Sequence, residues 1–369
     1  MRIFFCIPTL DDGGAERQLC YLSAGLTRLG HAVSVAFLSD GESGSRLRAS
    51  GVELHALGPR ATFDARLIRE LANIIRCTKA DIVQTWLRRM DVAGGLAALW
   101  TGTPLIYSER SLWQSGGWRQ RLRRSIVARA RAVVANSDHA ARVWQSMLPA
   151  RTAVHVIPNA LPLDELAAAP RAARSTLGVA DDAELIAFVG RFVPAKGITL
   201  LSQSLSSLLR ARPRAQVIVC GEGPLLPAFA GAIARAGLTS RCHLVGYRAD
   251  VWSILKSADA LISTSHYEGR PNAVLEAMAC GCPVVLSDIP AHRELAGDDS
   301  AWFFQPFAEA AMLALSSSLD DRAAAAQRAE RSQARVSRFT VAAAAAQYAA
   351  VYASVCGHVA EPRRRIAFS

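Results

Sequence analysis

The sequence predicts an α/β protein built from two successive doubly wound domains, each with a parallel sheet. Its 369 residues exceed the size at which a single hydrophobic core stops growing, so two domains are expected. Strand-like apolar runs alternate with helical stretches along nearly the whole chain, which is typical of parallel sheets covered by helices. A proline-interrupted segment separates two such alternating halves.

Short apolar runs account for the predicted strands. Those of the first sheet are residues 2–7, 31–37, 81–85, 104–107, 132–136 and 153–157. Those of the second sheet are residues 184–189, 215–220, 243–245, 258–262, 283–286 and 301–304. Between 158 and 178, Pro158, Pro162 and Pro170 indicate a linker. We therefore expect Rossmann-like domains over residues 1–165 and 166–339, with a ligand in an interdomain cleft at the carboxyl ends of the strands.

Composition and charge restrict the class of partner. The chain is 51% hydrophobic and 20% charged, which is ordinary for a globular protein. Residues 1–165 contain 21 lysine and arginine residues against 14 aspartate and glutamate residues. Such an excess suits nucleic acid, an anionic membrane surface or phosphorylated ligands. No platform of basic and aromatic residues accompanies the arginines, which argues against nucleic acid.

Neither end of the chain predicts a targeting or membrane-spanning segment. The apolar run at residues 2–7 is too short for a signal peptide and is expected to form a buried strand. The uncharged stretch 339–360 is rich in alanine and carries polar residues, so it predicts a docked helix. Among eight cysteines only Cys280 and Cys282 are closely spaced, so reduced core thiols are expected. We expect a cytoplasmic protein.

Two glycines follow the first strand and could serve a phosphate. Gly13 and Gly14 precede an amphipathic helical pattern. Glycine lets the backbone approach a ligand closely, and the helix start adds free N–H groups and a positive dipole end. The motif is not a full dinucleotide-binding fingerprint, so an ordinary tight strand-to-helix turn remains the alternative.

The second half has a matching strand exit that carries two cations. Arg191 and Lys196 follow the buried run 184–189. A planar guanidinium and a compact ammonium can together neutralise a diphosphate without a metal ion. Solvated surface charge is the alternative for either residue alone. A later strand exit, Gly246-Tyr247-Arg248, is a weaker candidate of the same kind.

The most specific pattern is a pair of glutamates eight residues apart. Glu268 follows a strand, and Glu276 lies inside a helix that Pro271 opens and Gly281 ends. The backbone N–H groups at that helix start, those of residues 272–274, are expected to form a second anion site. A carboxylate one turn further can accept hydrogen bonds from both hydroxyls of a ribose. Glutamates that merely stabilise the helix dipole are the alternative.

Taken together, these motifs resemble the retaining glycosyltransferases of family 4, which have the GT-B architecture of two Rossmann-like domains. The resemblance rests on Glu268-(seven residues)-Glu276, on the exit from Gly190 to Gly197 and on the segment Gly13–Arg17, in the family's order. Residues 156–160 also resemble the family's segment before the interdomain linker. The resemblance points to members that build bacterial polysaccharides or glycolipids.

The resemblance implies a division of labour between the domains. The N-terminal domain, with a final helix at about 340–356 returning to it, would bind the acceptor. The C-terminal domain would bind most of the donor, with Arg191 and Lys196 on the diphosphate, Glu276 on the ribose and Glu268 as the catalytic residue on the transferred sugar. The implied donor-binding residues are Gly14, Arg191, Lys196, Gly246, Tyr247, Arg248, Gly269, Asn272, Ala273, Val274 and Glu276.

One departure from the family concerns the reacting sugar. Many members carry a histidine after the fourth strand of the first domain, where this chain has Ser108-Glu109-Arg110. Either Glu109 or Arg110 takes over the role of that histidine, or the role is dispensable. A structural carboxylate is the alternative for Glu109, since buried carboxylates near clefts are frequently structural.

The expected reaction uses a UDP- or GDP-sugar as co-substrate and no cofactor. No Asp-x-Asp occurs in the sequence, so a metal clamp for the diphosphate has no obvious ligands. Protein cations and helix starts would stabilise the leaving group instead. The resemblance implies a retaining hexosyltransferase that acts on a glycan or a lipid-linked acceptor. Front-side attack and a covalent intermediate both remain open.

The acceptor side carries a basic segment. Within 118–131, Trp118, Leu122 and Ile126 fall on one helical face, and arginines surround it: Arg119, Arg121, Arg123, Arg124, Arg129 and Arg131. This is typical of a helix that lies on an anionic membrane, so peripheral binding to the inner face of the membrane is possible. A core-facing stripe with a solvated basic back is the alternative.

Two further arginines and three rival functions complete the predictions. Arg88 and Arg89, in the loop after strand 81–85, could meet an anionic acceptor such as a lipid diphosphate. A nucleotide-sugar epimerase of the same fold would act without an acceptor, and a non-catalytic nucleotide-sugar-binding protein would lack turnover. A pyridoxal phosphate enzyme is hard to support with only three lysines.

Overall fold

The computed structural model describes residues 1–61, 64–110, 117–150 and 152–357. Within these ranges the chain forms two compact units, each a parallel sheet covered by helices. The predicted fold class is confirmed. One unit comprises residues 1–160 and the last described helix, and the other comprises residues 161–338. The first unit thus ends at residue 160, where the sequence analysis placed the boundary at 165.

The first unit contains a seven-stranded parallel sheet. Its strands are β1 (Arg2–Cys6), β2 (Ala32–Phe37), β3 (Glu53–Ala56), β4 (Ile82–Trp86), β5 (Leu105–Glu109), β6 (Ala132–Ala135) and β7 (Ala153–Val156). They lie in the order β3-β2-β1-β4-β5-β6-β7. The chain order reverses between β1 and β4, and in sheets of this type ligands bind at the carboxyl ends of the strands that flank such a switch point.

Helices cover this sheet on both faces and bury two apolar clusters against it. They are α1 (Gly14–Arg28), α2 (Glu42–Ala49), α3 (Ala65–Cys77), α4 (Leu87–Thr101), α5 (Trp118–Val127) and α6 (Asp138–Met147). Central strands are buried on both faces and therefore read as continuous apolar runs, which is why the sequence predicted them. The prediction missed β3, an edge strand with a charged residue, a histidine and no buried position.

The second unit contains a six-stranded parallel sheet. Its strands are β8 (Glu184–Val189), β9 (Ala215–Cys220), β10 (Cys242–Gly246), β11 (Ala260–Ser263), β12 (Val284–Ser287) and β13 (Trp302–Phe304). They lie in the order β10-β9-β8-β11-β12-β13. The chain order reverses between β8 and β11, so the switch point of this sheet lies at the carboxyl ends of those two strands.

Eight α-helices of the second unit precede, connect or follow these strands. They are α7 (Leu163–Ala168), α8 (Ile198–Ala211), α9 (Leu226–Arg235), α10 (Val251–Ser257), α11 (Asn272–Ala279), α12 (Pro290–Ala296), α13 (Ala308–Asp320) and α14 (Arg322–Val336). The predicted linker segment is thus partly helical, since α7 lies within it. Helices α8, α9 and α13 pack on one face of the sheet and enclose its largest described apolar cluster.

The chain ends, within the described residues, in helix α15 (Val341–Gly357). Tyr348 and Tyr352 are buried in the core of the first unit, and the Tyr352 hydroxyl donates a hydrogen bond to Gln84 Oε1 at 2.5 Å. The stretch 339–360 therefore forms the predicted docked helix as far as residue 357, and residues 358–360 lie outside the described part. No helix in the described part of the chain is both long and apolar enough to span a bilayer.

Candidate functional site

A lysine and a glutamate meet at the switch point of the second sheet. Lys196 lies in the loop after β8, and Glu268 lies in the loop after β11. Lys196 Nζ donates to Glu268 Oε1 at 2.5 Å, although the two residues are 72 positions apart in the chain. Their side chains are only 21% and 14% exposed, so solvent screens this ion pair less than one on the open surface.

The Glu268 carboxylate is held ionised. Burial is the largest influence on its pKa and by itself would raise it. The charge of Lys196 and the hydrogen bonds from Lys196 and Ser265 together outweigh burial, so the pKa of Glu268 lies below its ordinary value. Ser265 Oγ donates to the same oxygen, Oε1, at 2.7 Å. Neither Glu268 Oε2 nor a second N–H of Lys196 has a hydrogen-bond partner among the described residues.

Close packing of two loops brings the pair together. Gly197 has a φ of +62°, and a Cβ atom there would lie 2.1 Å from the carbonyl oxygen of Thr264. Only glycine therefore fits this position. The Thr264 hydroxyl donates to the carbonyl of Lys196 at 2.8 Å, and the His266 N–H donates to the carbonyl of Ala195 at 2.9 Å. These contacts fix the lysine loop against the glutamate loop.

A buried histidine lies behind Glu268. His292 is fully buried in α12, where its Nδ1 lies 2.8 Å from the Ser287 carbonyl oxygen and its Nε2 lies 3.3 Å from Ser263 Oγ. Burial lowers the pKa of His292 to about 4, so the ring is neutral at pH 7. The Ser287 hydroxyl in turn donates to the Ser265 carbonyl at 2.6 Å.

The helix start that was predicted to bind an anion is the start of α11. Asn272, Ala273 and Val274 are its first residues, Gly269 lies in the loop before it, and no side chain caps it. A helix start without a side-chain cap offers backbone N–H groups to an anion. Glu276 lies one turn further and is only 4% exposed. The two glutamates therefore belong to one loop and helix, as predicted, with both carboxylates largely buried.

The other predicted donor-binding residues of this unit lie at strand ends but differ in exposure. Arg191 follows β8 and its side chain is exposed. Gly246 ends β10, the neighbour of β9, and Tyr247 after it is 47% exposed. The guanidinium of Arg248 makes two hydrogen bonds, of 2.7 and 2.6 Å, to the carboxylate of Asp250. Arg248 is therefore engaged in a surface ion pair.

In the first unit, Gly14 is the first residue of α1. The Glu16 carboxylate folds back over this helix start, where Thr9 Oγ1 donates to Glu16 Oε1 at 2.9 Å. A Cβ atom on Gly13 would lie 2.3 Å from Glu16 Oε2, so the glycine makes room for this carboxylate. The helix start at the β1 end of the switch point thus already carries a negative charge.

Arg88 and Arg89 lie elsewhere than predicted. Strand β4 runs straight into α4, so both arginines belong to the first turn of a helix and not to a loop. Leu87 makes the junction in the left-handed region, with a φ of +64°, which is strained for a bulky residue. Both arginine side chains are exposed at the β4 end of the first switch point, and Arg89 donates to the Arg60 carbonyl.

Glu109 ends β5 inside a buried polar network and is only 3% exposed. Its Oε2 accepts hydrogen bonds from the Tyr107 hydroxyl at 2.9 Å and from the Trp144 ring nitrogen at 2.7 Å, and Arg123 lies 3.6 Å away. Arg123 Nε also donates to Asp91 at 2.9 Å. Burial raises the pKa of Asp91 to about 6 despite the nearby Arg123.

Arg123 corrects the prediction of a membrane-facing basic helix. Its side chain is 6% exposed and pairs with Asp91 and Glu109, so it is not part of the basic surface. Ile126 is buried in the core and Leu122 packs against it. The predicted apolar face of α5 is therefore the core-facing stripe, and Trp118 is the exception because it is 61% exposed.

Arg110 is fixed by the last helix of the first unit. Its guanidinium donates to Asn159 Oδ1 at 2.8 Å and to the Tyr348 hydroxyl at 2.7 Å, and it stacks on Trp86 at 4.1 Å from the ring centroid. The residues that replace the family's usual histidine are thus both held by other side chains of the first unit.

The residues that support Glu268 from behind were not predicted from the sequence. Ser263 and Ser265 were visible as hydroxyl residues just before Glu268. His292 gave no signal, because a single histidine in a short helix is most often a core residue. Only the pairing of β11 with β12 brings it behind the site.

The chain contains two doubly wound parallel sheets, and Lys196 and Glu268 meet at the switch point of the second. Two domains of this kind are the parts of the GT-B architecture. The sequence profile described as Glycosyltransferase Family 4 matches residues 12–165, and the profile described as Glycosyl transferases group 1 matches residues 171–335. The chain belongs to the family 4 glycosyltransferases and has their GT-B architecture.

Solved structures and relatives agree with this assignment. HepE of Anabaena, solved in complex with UDP-glucose, superposes with a TM-score of 0.85 at 22% identity over 96% of this chain and 100% of HepE. LpsB of Rhizobium meliloti, a lipopolysaccharide core mannosyltransferase, is 27% identical over 67% of this chain and 72% of LpsB. EpsF of Bacillus subtilis, provisionally named a glycosyltransferase, is 31% identical over 52% of this chain. That match spans about half of EpsF, 53% of its length.

Proposed function

We propose that the chain is a retaining hexosyltransferase that moves a sugar from a UDP- or GDP-sugar to a glycan or lipid-linked acceptor. The observation that carries the proposal is the ion pair of Lys196 and Glu268 at the second switch point. The UDP-glucose in HepE supports a nucleotide-sugar donor. Relatives named for lipopolysaccharide core and diphosphoundecaprenol-linked sugars support a role in cell-surface polysaccharide or glycolipid biosynthesis.

In this proposal the second unit binds the donor through charge complementarity. One N–H of Lys196 donates to Glu268, and its other N–H groups can donate to the diphosphate. The exposed, planar guanidinium of Arg191 adds further N–H donors. The start of α11 adds backbone N–H groups. Glu276 accepts hydrogen bonds from the ribose hydroxyls, and the loop Gly246–Arg248 lies near the base. No metal ion is needed because these groups neutralise the diphosphate.

The proposed reaction proceeds by front-side attack. The bond from the sugar's anomeric carbon to the diphosphate oxygen breaks, the acceptor oxygen bonds to the same face, and its proton passes to the leaving phosphate. Lys196 and Arg191 stabilise the negative charge that develops on the diphosphate. Glu268 is the catalytic residue that contacts the transferred sugar, because its Oε1 is held by Lys196 and Ser265 while Oε2 is left for a sugar hydroxyl.

The first unit has the acceptor-binding role in this proposal. Gly14 approaches the donor phosphates or sugar through its backbone, and Arg88 and Arg89 attract an anionic acceptor group. Glu109 and Arg110 take the place of the family's histidine. Because both are already hydrogen-bonded within the unit, we assign them to holding the end of β5 in the geometry that the reaction needs.

We also propose peripheral binding to an anionic membrane through the exposed part of α5. With Arg123 excluded, α5 still presents Trp118 and three exposed arginines, Arg119, Arg121 and Arg124, and the exposed Arg129 and Arg131 follow the helix. Each arginine near an anionic membrane surface contributes about 1 kcal/mol to the free energy of membrane binding. Replacing the three by glutamine should release the protein from vesicles that contain phosphatidylserine at low salt. The charge-matched control replaces Arg66, Arg69 and Arg76 of α3, and equal release by both triple variants would contradict a specific role of α5.

Release of nucleotide that depends on added acceptor tests the transferase function. The donors are UDP-glucose, UDP-galactose, UDP-N-acetylglucosamine and GDP-mannose, and the first acceptor is N-acetylglucosamine-diphosphoundecaprenol. A transferase releases nucleotide only when an acceptor is present. Conversion of the donor sugar without nucleotide release would indicate an epimerase, and donor binding without turnover for any acceptor would indicate a binding protein.

A further inference from the structure

Two series of polar contacts lead from His292 towards Glu268, and their contact distances differ. One runs from Nε2 to Ser263 Oγ at 3.3 Å and from there to Ser265 Oγ at 3.3 Å. The other runs from Nδ1 to the Ser287 carbonyl at 2.8 Å, and then from the Ser287 hydroxyl to the Ser265 carbonyl at 2.6 Å. Ser265 Oγ donates to Glu268 at 2.7 Å, so both paths end on the residue that anchors the carboxylate.

The tautomer of His292 follows from its partners. A carbonyl oxygen can only accept, so the contact with Ser287 requires that Nδ1 carries the proton. Nε2 then has a lone pair and accepts from the Ser263 hydroxyl. Because the Ser265 hydroxyl donates to Glu268, neither hydroxyl has a proton left for the contact between Ser263 and Ser265. The low pKa of the buried ring, about 4, keeps this neutral form at pH 7.

The distances decide which path is stiffer. The two hydrogen bonds of the Ser287 path are short, at 2.8 and 2.6 Å, although Nδ1 also lies 3.3 Å from Ser287 Oγ. Both contacts of the Ser263 path, at 3.3 Å, are longer than ordinary hydroxyl hydrogen bonds. The Ser287 path also ties the carboxyl end of β12 to the segment that follows β11. All three serines are buried, so water does not compete for these contacts.

We propose that His292 is a positioning residue for Glu268, which acts by donating to Ser287 and thereby fixing the segment that presents the Glu268 carboxylate. This inference rests on the proposed function, in which Glu268 contacts the donor sugar. His292 itself lies too deep to contact a ligand. Its effect is expected on the sugar and not on the nucleotide, which other residues bind.

Two matched pairs of variants separate the paths. Ser287→Ala breaks the short path, and Ser263→Ala, at the end of the neighbouring strand, breaks the long one. His292→Asn keeps an N–H near the position of Nδ1, whereas His292→Gln keeps a polar group near Nε2 and loses the donor to Ser287.

Dissociation constants for free UDP or GDP and for the matching nucleotide sugar are measured with the full chain. The ratio of the dissociation constant for the nucleotide sugar to that for the free nucleotide reports how strongly the protein binds the sugar part of the donor.

We expect Ser287→Ala and His292→Gln to weaken binding of the nucleotide sugar relative to the free nucleotide by about fivefold, as for loss of one or two hydrogen bonds. Ser263→Ala and His292→Asn should change this ratio by less than about twofold. Turnover should follow the same order, with KM for the donor raised in the variants that bind the nucleotide sugar more weakly. The affinity for free nucleotide should be equal in every variant that folds, as judged by its melting temperature.

Several outcomes would overturn the inference. Equal ratios for Ser287→Ala and Ser263→Ala would do so, and the serine pair alone decides the matter if the histidine variants fail to fold. A ring of His292 protonated at Nε2, seen in nitrogen-detected NMR spectra, would also overturn it. A wild-type protein that binds none of the four nucleotide sugars would overturn the proposed function together with this inference, whereas normal binding with equal serine variants would overturn the inference alone.

Discussion

Lys196 pairs with Glu268 and, in the proposed function, also holds the donor diphosphate, so Lys196→Met should remove both contacts. In the folded protein the ammonium neutralises a largely buried carboxylate 2.5 Å away. In the proposed donor complex its remaining N–H groups also hold the diphosphate. Methionine has a similar length and no charge, so the substitution changes electrostatics more than packing.

The expected loss in nucleotide affinity follows from the number of N–H groups available. One N–H of Lys196 is engaged by Glu268, so at least one other can donate to a phosphate oxygen. A hydrogen bond to a charged group contributes about 1.5–3 kcal/mol, which corresponds to roughly 10- to 150-fold in the dissociation constant for UDP or GDP. Isothermal titration calorimetry measures this directly.

The effect on stability should depend on pH in a defined direction. Glu268 has a pKa below its ordinary value of 4.5, so its pairing stabilises the fold above that pH and the contribution is lost as pH falls through the lowered pKa. Without Lys196, burial dominates and the pKa of Glu268 rises. The free energy of unfolding of the variant should therefore fall by about 1–3 kcal/mol at pH 7, and the difference from wild type should shrink below pH 4.5.

Two further variants make this prediction specific. Lys256→Met removes the same charge from α10, where Nζ donates to the carbonyls of Ala167 and Ala169, and it should leave nucleotide affinity unchanged. Adding Glu268→Gln to Lys196→Met should restore part of the lost stability, because the buried charge is then gone. Unchanged nucleotide affinity in Lys196→Met, or a stability difference that does not vary with pH, would refute the reasoning.

Three other predictions follow from the same site. Glu276→Gln should weaken binding of UDP or GDP by about 1–3 kcal/mol, because a neutral amide replaces a charged acceptor of the ribose hydroxyls; unchanged affinity would remove Glu276 from the site. Transferase activity should survive exhaustive chelation, because Arg191 and Lys196 supply the positive charge, and loss with rescue by a divalent ion would indicate a metal clamp. Between pH 6.5 and pH 4 the free energy of unfolding of the wild-type protein should fall by about 3 kcal/mol, because His292 takes up a proton in the unfolded chain but stays neutral in the folded protein. In urea titrations, His292→Asn should lack this pH-dependent component.

The alternating pattern of the chain was enough to predict both sheets, because central parallel strands are buried on both faces. The edge strand β3 was not predicted, because Glu53 and His55 interrupt its apolar character. Arg88 and Arg89 were assigned to a loop because nothing in the sequence shows that β4 passes into α4 through a single left-handed residue, Leu87. Such junctions depend on backbone geometry and leave no mark in hydrophobic periodicity.

In the basic helix α5, charge alone did not predict which arginines are exposed and which are buried. Arg119, Arg121, Arg123 and Arg124 are equivalent as sequence letters, yet Arg123 faces Asp91 and Glu109, which lie on α4 and β5. A helical pattern indicates which face a residue shares with its neighbours. It does not indicate that the core beneath that face contains two carboxylates, because those come from distant segments.

The residues of the candidate site could be singled out from the sequence to the extent that each part of the site is local. The exit from β8 carries Lys196, and the exit from β11 carries Glu268, and each was recognisable within ten residues of sequence. Their meeting depends on the strand order, because β11 pairs directly with β8 while β9 and β10 lie on the other side. A doubly wound sheet produces this adjacency at its switch point. His292 enters the site one strand further out, behind β12, where no local motif announces it. Candidate ligand-binding residues such as Lys196 and Glu268 can thus be proposed from motifs, whereas the residues packed behind them, such as His292, are found only from the pairing of strands.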